Sequence, residues 1–73
     1  MRVLRARVRD EDDELYFVSV IWAEKYPKLA EKATPVVLID NPYGLMVHGV
    51  DQADYEYTVY PWDKVLWVEV EQA

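Results

Sequence analysis

Leu4-Arg5-Ala6-Arg7-Val8-Arg9 alternates apolar and charged side chains without a break. A period of two is the spacing of a strand with one face in a core and the other in water. Leu4, Ala6 and Val8 are therefore expected to face inward. Arg5, Arg7 and Arg9 share the outer face at intervals of about 6.8 Å. The five residues that follow, Asp10 to Glu14, are all acidic and read as the loop of a hairpin, although the Asn-Gly or Asp-Gly pair of the tightest turns is missing.

The same period governs most of the remaining chain. Leu15 to Trp22 is rich in β-branched and aromatic residues and apolar on both faces, as a central strand would be. Val36 to Ile39 is a further short apolar run. Asn41-Pro42-Tyr43-Gly44 is the strongest turn signal, with proline presetting φ, and it leads into Leu45 to Val50. A polar turn at Asp51 to Asp54 precedes Tyr55 to Tyr60, and Val65 to Val70 completes the set. One segment departs from the pattern. Ala23, Tyr26, Leu29, Ala30 and Ala33 recur at helical spacings. Pro27 suits a first helical turn, so about two turns of helix are expected from near Pro27, ending before Thr34-Pro35. The expected order is β-β-α-β-β-β-β: a mainly β fold with one short helix.

Val59-Tyr60-Pro61-Trp62-Asp63-Lys64-Val65 places a proline-led break between two strand-like runs. It resembles the short 3₁₀ turn before the last strand of SH3-like small β-barrels, and Sm-like barrels have similar breaks. The likeness covers the last third of the chain and concerns the fold. The acidic-aromatic loop and paired-tryptophan groove of signalling SH3 domains are missing, so no peptide-binding residue carries over. The expected architecture is a small SH3-like barrel, or a strongly bent antiparallel sheet capped by the helix.

Composition narrows the class. The chain has 73 residues, 52% hydrophobic and 14% aromatic, with no cysteine and a net charge of -6 from 8 basic and 14 acidic side chains. Such a chain holds one small domain and is too apolar for an acidic disordered tail. Disulfide and thiolate-metal frameworks are excluded. The apolar runs are too short to span a membrane as helices, and a cytoplasmic location is expected. Charge is divided: arginines crowd the first strand, whereas from Thr34 onward seven acidic residues meet only Lys64.

Catalytic signals are sparse. His48 is the only histidine and lies within a strand, with Asp51 on the opposite face. Ser19 is the only serine and sits among apolar neighbours, as a small residue fitted under the helix. Two glycines cannot make a phosphate loop. The Asp10 to Glu14 run lacks the spaced ligands and loop glycine of a Ca²⁺ site. No enzyme activity, cofactor or metal is expected. Phe17 and Trp22 are read as core. The aromatic surplus beyond them, Tyr55, Tyr57, Trp62 and Trp67, is the candidate interface, together with Arg5, Arg7 and Arg9. In the last strand Leu66, Val68 and Val70 are expected to face the core, leaving Trp67 outside, beside Tyr55, Tyr57 or Trp62.

These features suit a small non-catalytic regulatory or adaptor protein, encoded by a phage or mobile element, that binds another protein. An oligonucleotide-binding barrel using the arginine strand is the first alternative. An acidic mimic of nucleic acid is the second. Homo-oligomerisation through strand edges is compatible with each.

Overall fold

The computed structural model describes residues 2–52 and 56–72. Strands β1 (Val3–Asp10), β2 (Asp13–Val18) and β6 (Val65–Val70) form one antiparallel sheet in the order β2-β1-β6. Strands β3 (Val36–Asn41), β4 (Gly44–Gly49) and β5 (Thr58–Pro61) form a second, in the order β3-β4-β5. Helix α1 (Val20–Lys25) follows β2, and a 3₁₀ turn at Trp62–Lys64 carries the chain from the second sheet into the first. The fold is thus mainly β with one short helix. The barrel does not close; two three-stranded sheets enclose the core between them.

The opening alternation is realised as strand β1. Ala6 and Val8 are fully buried and Leu4 nearly so, while Arg5 and Arg7 lie on the other side. Val3, Ala6 and Val8 meet Leu38, Leu45 and Val47 of the facing sheet, with Leu15, Phe17, Val36, Tyr60, Val65 and Val70 around them. Phe17 packs on Tyr60 with ring centroids 5.7 Å apart. A smaller cluster of Leu4, Val18, Trp22 and Ala30 sits beneath the helix.

The hairpin loop is shorter than expected. Asp10 pairs with Asp13 in register, so only Glu11 and Asp12 make the turn. Glu11 takes a positive φ of 57°, the backbone that Asn or Gly would supply at a tight hairpin.

The helix is displaced towards the N-terminus. It occupies Val20 to Lys25 rather than starting near Pro27. Ser19 ends the strand: its side chain accepts the Trp22 N–H at 3.1 Å and caps the helix. Pro27 acts as the stop, because the residue before a proline is disfavoured in the helical region. Tyr26 accordingly has φ −129° and ψ 64°. Residues 27–33 continue as turns, with Ala30 N–H donating to Tyr26 O and Ala33 N–H to Ala30 O. The periodicity of Ala23 to Ala33 thus belongs to a helix end and a turn that together cover Leu4 and Val18.

Strand β6 carries a second correction. Arg7 pairs with Trp67 and Val8 with Val65, so Leu66 is an extra residue bulged out of register. Val65 turns to the core and Leu66 is left 43% exposed, whereas Val68 lies opposite the buried Ala6 and Val70 packs against the core, as expected. A second shift sits between Val3 and Arg5, where Leu4 leaves the main core for the cluster under the helix.

Two residues test this packing. A methyl group on Gly44 would lie 2.2 Å from the Tyr60 carbonyl oxygen, a backbone atom with little room to retreat. Gly44→Ala should therefore cost about 2–3 kcal/mol of unfolding free energy in urea denaturation, at the upper end of overpacking penalties. The Tyr60 phenol is pushed above the ordinary tyrosine value of 10.0, first by burial and then by the negative charge of Asp10. The folded state therefore holds this proton more tightly than the unfolded chain. The linked stability is complete below pH 10 and is lost as pH rises from there through the elevated folded-state value. Tyr60→Phe should flatten this alkaline loss relative to the parent, as read from melting temperatures between pH 8 and 11.

Candidate functional site

The outer face of the β2-β1-β6 sheet follows from strand register. Arg7 lies opposite Tyr16 on one side and Trp67 on the other, and Arg5 lies opposite Glu69. Directly opposed residues share a face, so Arg5, Arg7, Tyr16, Trp67 and Glu69 form one outward array. Trp22 joins it from α1, because Ser19 turns the chain back over this face after β2.

The array is ordered by stacking. The Arg5 guanidinium lies 5.1 Å from the Trp22 ring centroid and 5.5 Å from that of Trp67. Trp22 in turn meets Tyr26 at 5.1 Å, and Trp67 meets Tyr16 at 6.1 Å. Arg7 reaches to 5.4 Å from the Tyr16 ring. A cation between two indoles is attracted by the negative face of each ring. Arg5 is also fixed in its own plane: Nε donates to Glu69 at 2.7 Å and Nη1 to the Tyr16 hydroxyl at 3.1 Å. These bonds, Glu69 first and Tyr16 second, raise the Arg5 pKa above that of an ordinary arginine, against the opposing effect of partial burial. The charge is permanent and its position is set.

This geometry divides the sequence candidates. Arg5, Arg7 and Trp67 come together, and Trp67 is 39% exposed, as an interface residue requires. Its aromatic neighbour is Tyr16, not Tyr57 or Trp62. Trp62 instead donates its indole N–H to Asn41 O at 2.9 Å, tying the 3₁₀ turn to the β3–β4 hairpin. Tyr57 precedes β5 and is half exposed, with no ring or hydrogen-bond partner among the described residues. Tyr55 lies outside the described residues. Arg9 is at the hairpin end, 3.5 Å from Glu14, which also meets Arg7 at 3.7 Å. Trp22 is buried, as expected, yet it also supplies one wall of the Arg5 site.

Sequence reading missed Tyr16, Tyr26 and Glu69. The signal for Tyr16 was available: a two-residue turn at Glu11-Asp12 sets Arg7 opposite Tyr16 by counting alone. Among the described residues no group of three or more metal-ligating side chains gathers, the Asp10 to Glu14 run included. His48 sits on β4 opposite Val37, remote in register from this array. No helix is long and apolar enough to cross a membrane among the described residues. No protein-family model, curated protein or solved structure matches the chain.

The array makes a thermodynamic prediction. Arg5→Ala removes two cation–π contacts and two hydrogen bonds at a partly exposed position, and should cost about 1–3 kcal/mol after discounting for solvent screening. Arg5→Lys keeps the charge but loses the planar fork, so it should recover less than half of that loss. Urea titrations in low and high salt check the origin. The penalty should persist largely unchanged in 0.5 M NaCl if stacking dominates, and shrink if the Glu69 pair does.

Proposed function

We propose that this protein is a small non-catalytic protein-protein interaction module, of regulatory or adaptor type, that binds its partner through the outer face of the β2-β1-β6 sheet. The observation that carries the reading is the Trp22–Arg5–Trp67 stack extended by Tyr16 and Tyr26, with Trp67, Tyr16 and Tyr26 each about two-fifths or more exposed. Aromatic and arginine side chains dominate the energetics of protein interfaces because they bury large areas. Here they are held in place before any partner arrives, which reduces the ordering cost of binding. Among the described residues Arg5 commits only part of its donor fork, and the remainder suits carbonyl or carboxylate acceptors on a partner.

Oligonucleotide binding is the second reading, and stacked aromatics beside arginine would serve it. The ion pairs weigh against it. Arg2 is paired with Glu71, Arg5 with Glu69, and both Arg7 and Arg9 with Glu14. A phosphate track on this strand would compete with a carboxylate at each step, within a chain of net charge -6. The reading as an acidic mimic draws on Asp40, Asp51, Asp54, Glu56, Asp63, Glu69 and Glu71. Glu69 and Glu71 are paired with Arg5 and Arg2, and Asp54 lies outside the described residues. The others are divided among β3, the 3₁₀ turn and the segments flanking β5.

A comparison of the parent with Trp67→Ala and Tyr16→Ala tests the proposal. Affinity capture from the native cell, followed by titration of the purified partner, should show binding reduced about tenfold or more in both variants. Melting temperatures establish that they remain folded. Binding of a mixed-sequence oligonucleotide at low salt, with no protein partner sensitive to these substitutions, would reverse the order of the two readings.

A further inference from the structure

Among the described residues, the β3 strand has one edge free beyond its first residue. It pairs with β4 on one side only, and Asn41 and Gly44 close a two-residue connection. The closing pair of such a hairpin is hydrogen-bonded, and bonding alternates along the ladder. The main-chain groups of Val36, Leu38 and Asp40 consequently point away from β4. Val36 uses this edge to form a parallel bridge with Ser19. At Ser19 the chain leaves the strand for α1, so Leu38 and Asp40 present N–H and C=O groups to an open edge.

The other outer strands carry protection that β3 lacks. Strand β2 begins with Asp13 and Glu14, β5 is four residues long and ends in Pro61, and β6 is broken by the Leu66 bulge. Beside β3 the departure of α1 opens a cleft of about 360 Å³, lined by Val3, Val20, Ile21, Val37 and Leu38, with Arg2 among its polar residues. That volume falls in the range of ligand-binding clefts.

Charge gives the cleft a direction. Arg2 and Lys25 share a single carboxylate, Glu71, at 2.5 Å and 3.9 Å, so the Val36 end carries more positive charge than it neutralises. Asp40, at the other end of the free edge, has no ion pair among the described residues. We infer that this edge and cleft bind an extended apolar segment of a partner protein, added as a strand antiparallel to β3 with an acidic group at its C-terminal side beside Arg2. Main-chain bonds to Leu38 and Asp40 supply affinity, and apolar side chains entering the cleft supply selectivity. A second copy of this chain is a poorer occupant. Antiparallel self-pairing about Leu38 would set Asp40 opposite Val36, whose edge is already bridged to Ser19, and pairing about Ile39 would bring Pro42 rather than an acidic group to the Val36 end.

This site is separate from the Trp67 face, and one experiment distinguishes them. A random heptapeptide library displayed on phage is selected against the intact protein, and enriched peptides are synthesised and titrated. Enrichment of alternating apolar sequences with an acidic C-terminal side is expected. Ile21→Trp, which fills the cleft, and Arg2→Glu, which reverses its charge, should each weaken binding about tenfold or more, a loss of ~1.4 kcal/mol. Trp67→Ala should leave it unchanged, and thermal melts confirm that the variants fold. Failure to enrich any sequence, or binding indifferent to both cleft variants, overturns the inference. Loss on Trp67→Ala alone overturns it in favour of the outer face. Self-association of the parent that disappears with Ile21→Trp overturns it in favour of a second copy.

Discussion

The architecture turns on Ser19. Its backbone N–H donates to Leu4 O at 2.8 Å, continuing the attachment of β2 to β1 for one residue beyond the strand. Its side chain accepts the Trp22 N–H and starts the helix. Its bridge to Val36 holds the second sheet against the first. One small, buried residue therefore connects three elements, and its hydroxyl is satisfied where it lies. A larger side chain would have to displace the Leu4–Val18–Trp22 cluster. An alanine would fit but would leave the first turn of a six-residue helix without its cap. Such a short helix has little intrinsic stability and depends on that cap and on the burial of Trp22.

Because Ser19 sends α1 over the outside of the β2-β1-β6 sheet, Trp22 can serve two environments at once. It buries against Leu4, Val18 and Ala30, and it meets the Arg5 guanidinium at 5.1 Å. The small hydrophobic cluster under the helix thereby positions the exposed array. Arg5 lies between two indoles because one is anchored in packing and the other is set by β6 register. Binding chemistry and folding energy draw on the same side chains in this part of the molecule. A chain this short has few residues available for only one of those tasks.

The alternation of residues 4–9 was legible because it obeys a single local rule, and the structure follows it with Ala6 and Val8 fully buried. The 3₁₀ break after Pro61 and the hairpin at Pro42-Tyr43 were legible for the same reason: proline acts on its immediate neighbours. The helix was misplaced because Val20 and Ile21, both β-branched, continue the strand composition of Leu15 to Val18. Only the hydroxyl of Ser19 marks the change, without the glutamate that would complete a capping box. The exchange of Val65 for Leu66 on the inward face of β6 was unreadable for another reason. A bulge at Leu66 is decided by how β6 meets β1 across a separation of about sixty residues, and no local pattern encodes that. The candidate site inherits both difficulties. Arg5, Arg7 and Trp67 were identifiable individually, but their assembly with Tyr16 and Glu69 required two strand registers.

The passage of the chain from β5 through the 3₁₀ turn into β6 has a temporal consequence. The β1–β2 and β3–β4 hairpins join near neighbours in sequence and can form early. Strand β1, however, remains an open template until Val65 to Val70 arrive to pair with Val3 to Val8. Closing so long a loop is entropically slow compared with forming a hairpin. During synthesis the arginine-bearing strand leaves the ribosome well before β6, its second neighbour. Until β6 docks, the main-chain groups along one edge of β1 lack their strand partner, and Arg5 and Arg7 place charge beside that edge, which disfavours pairing with other chains.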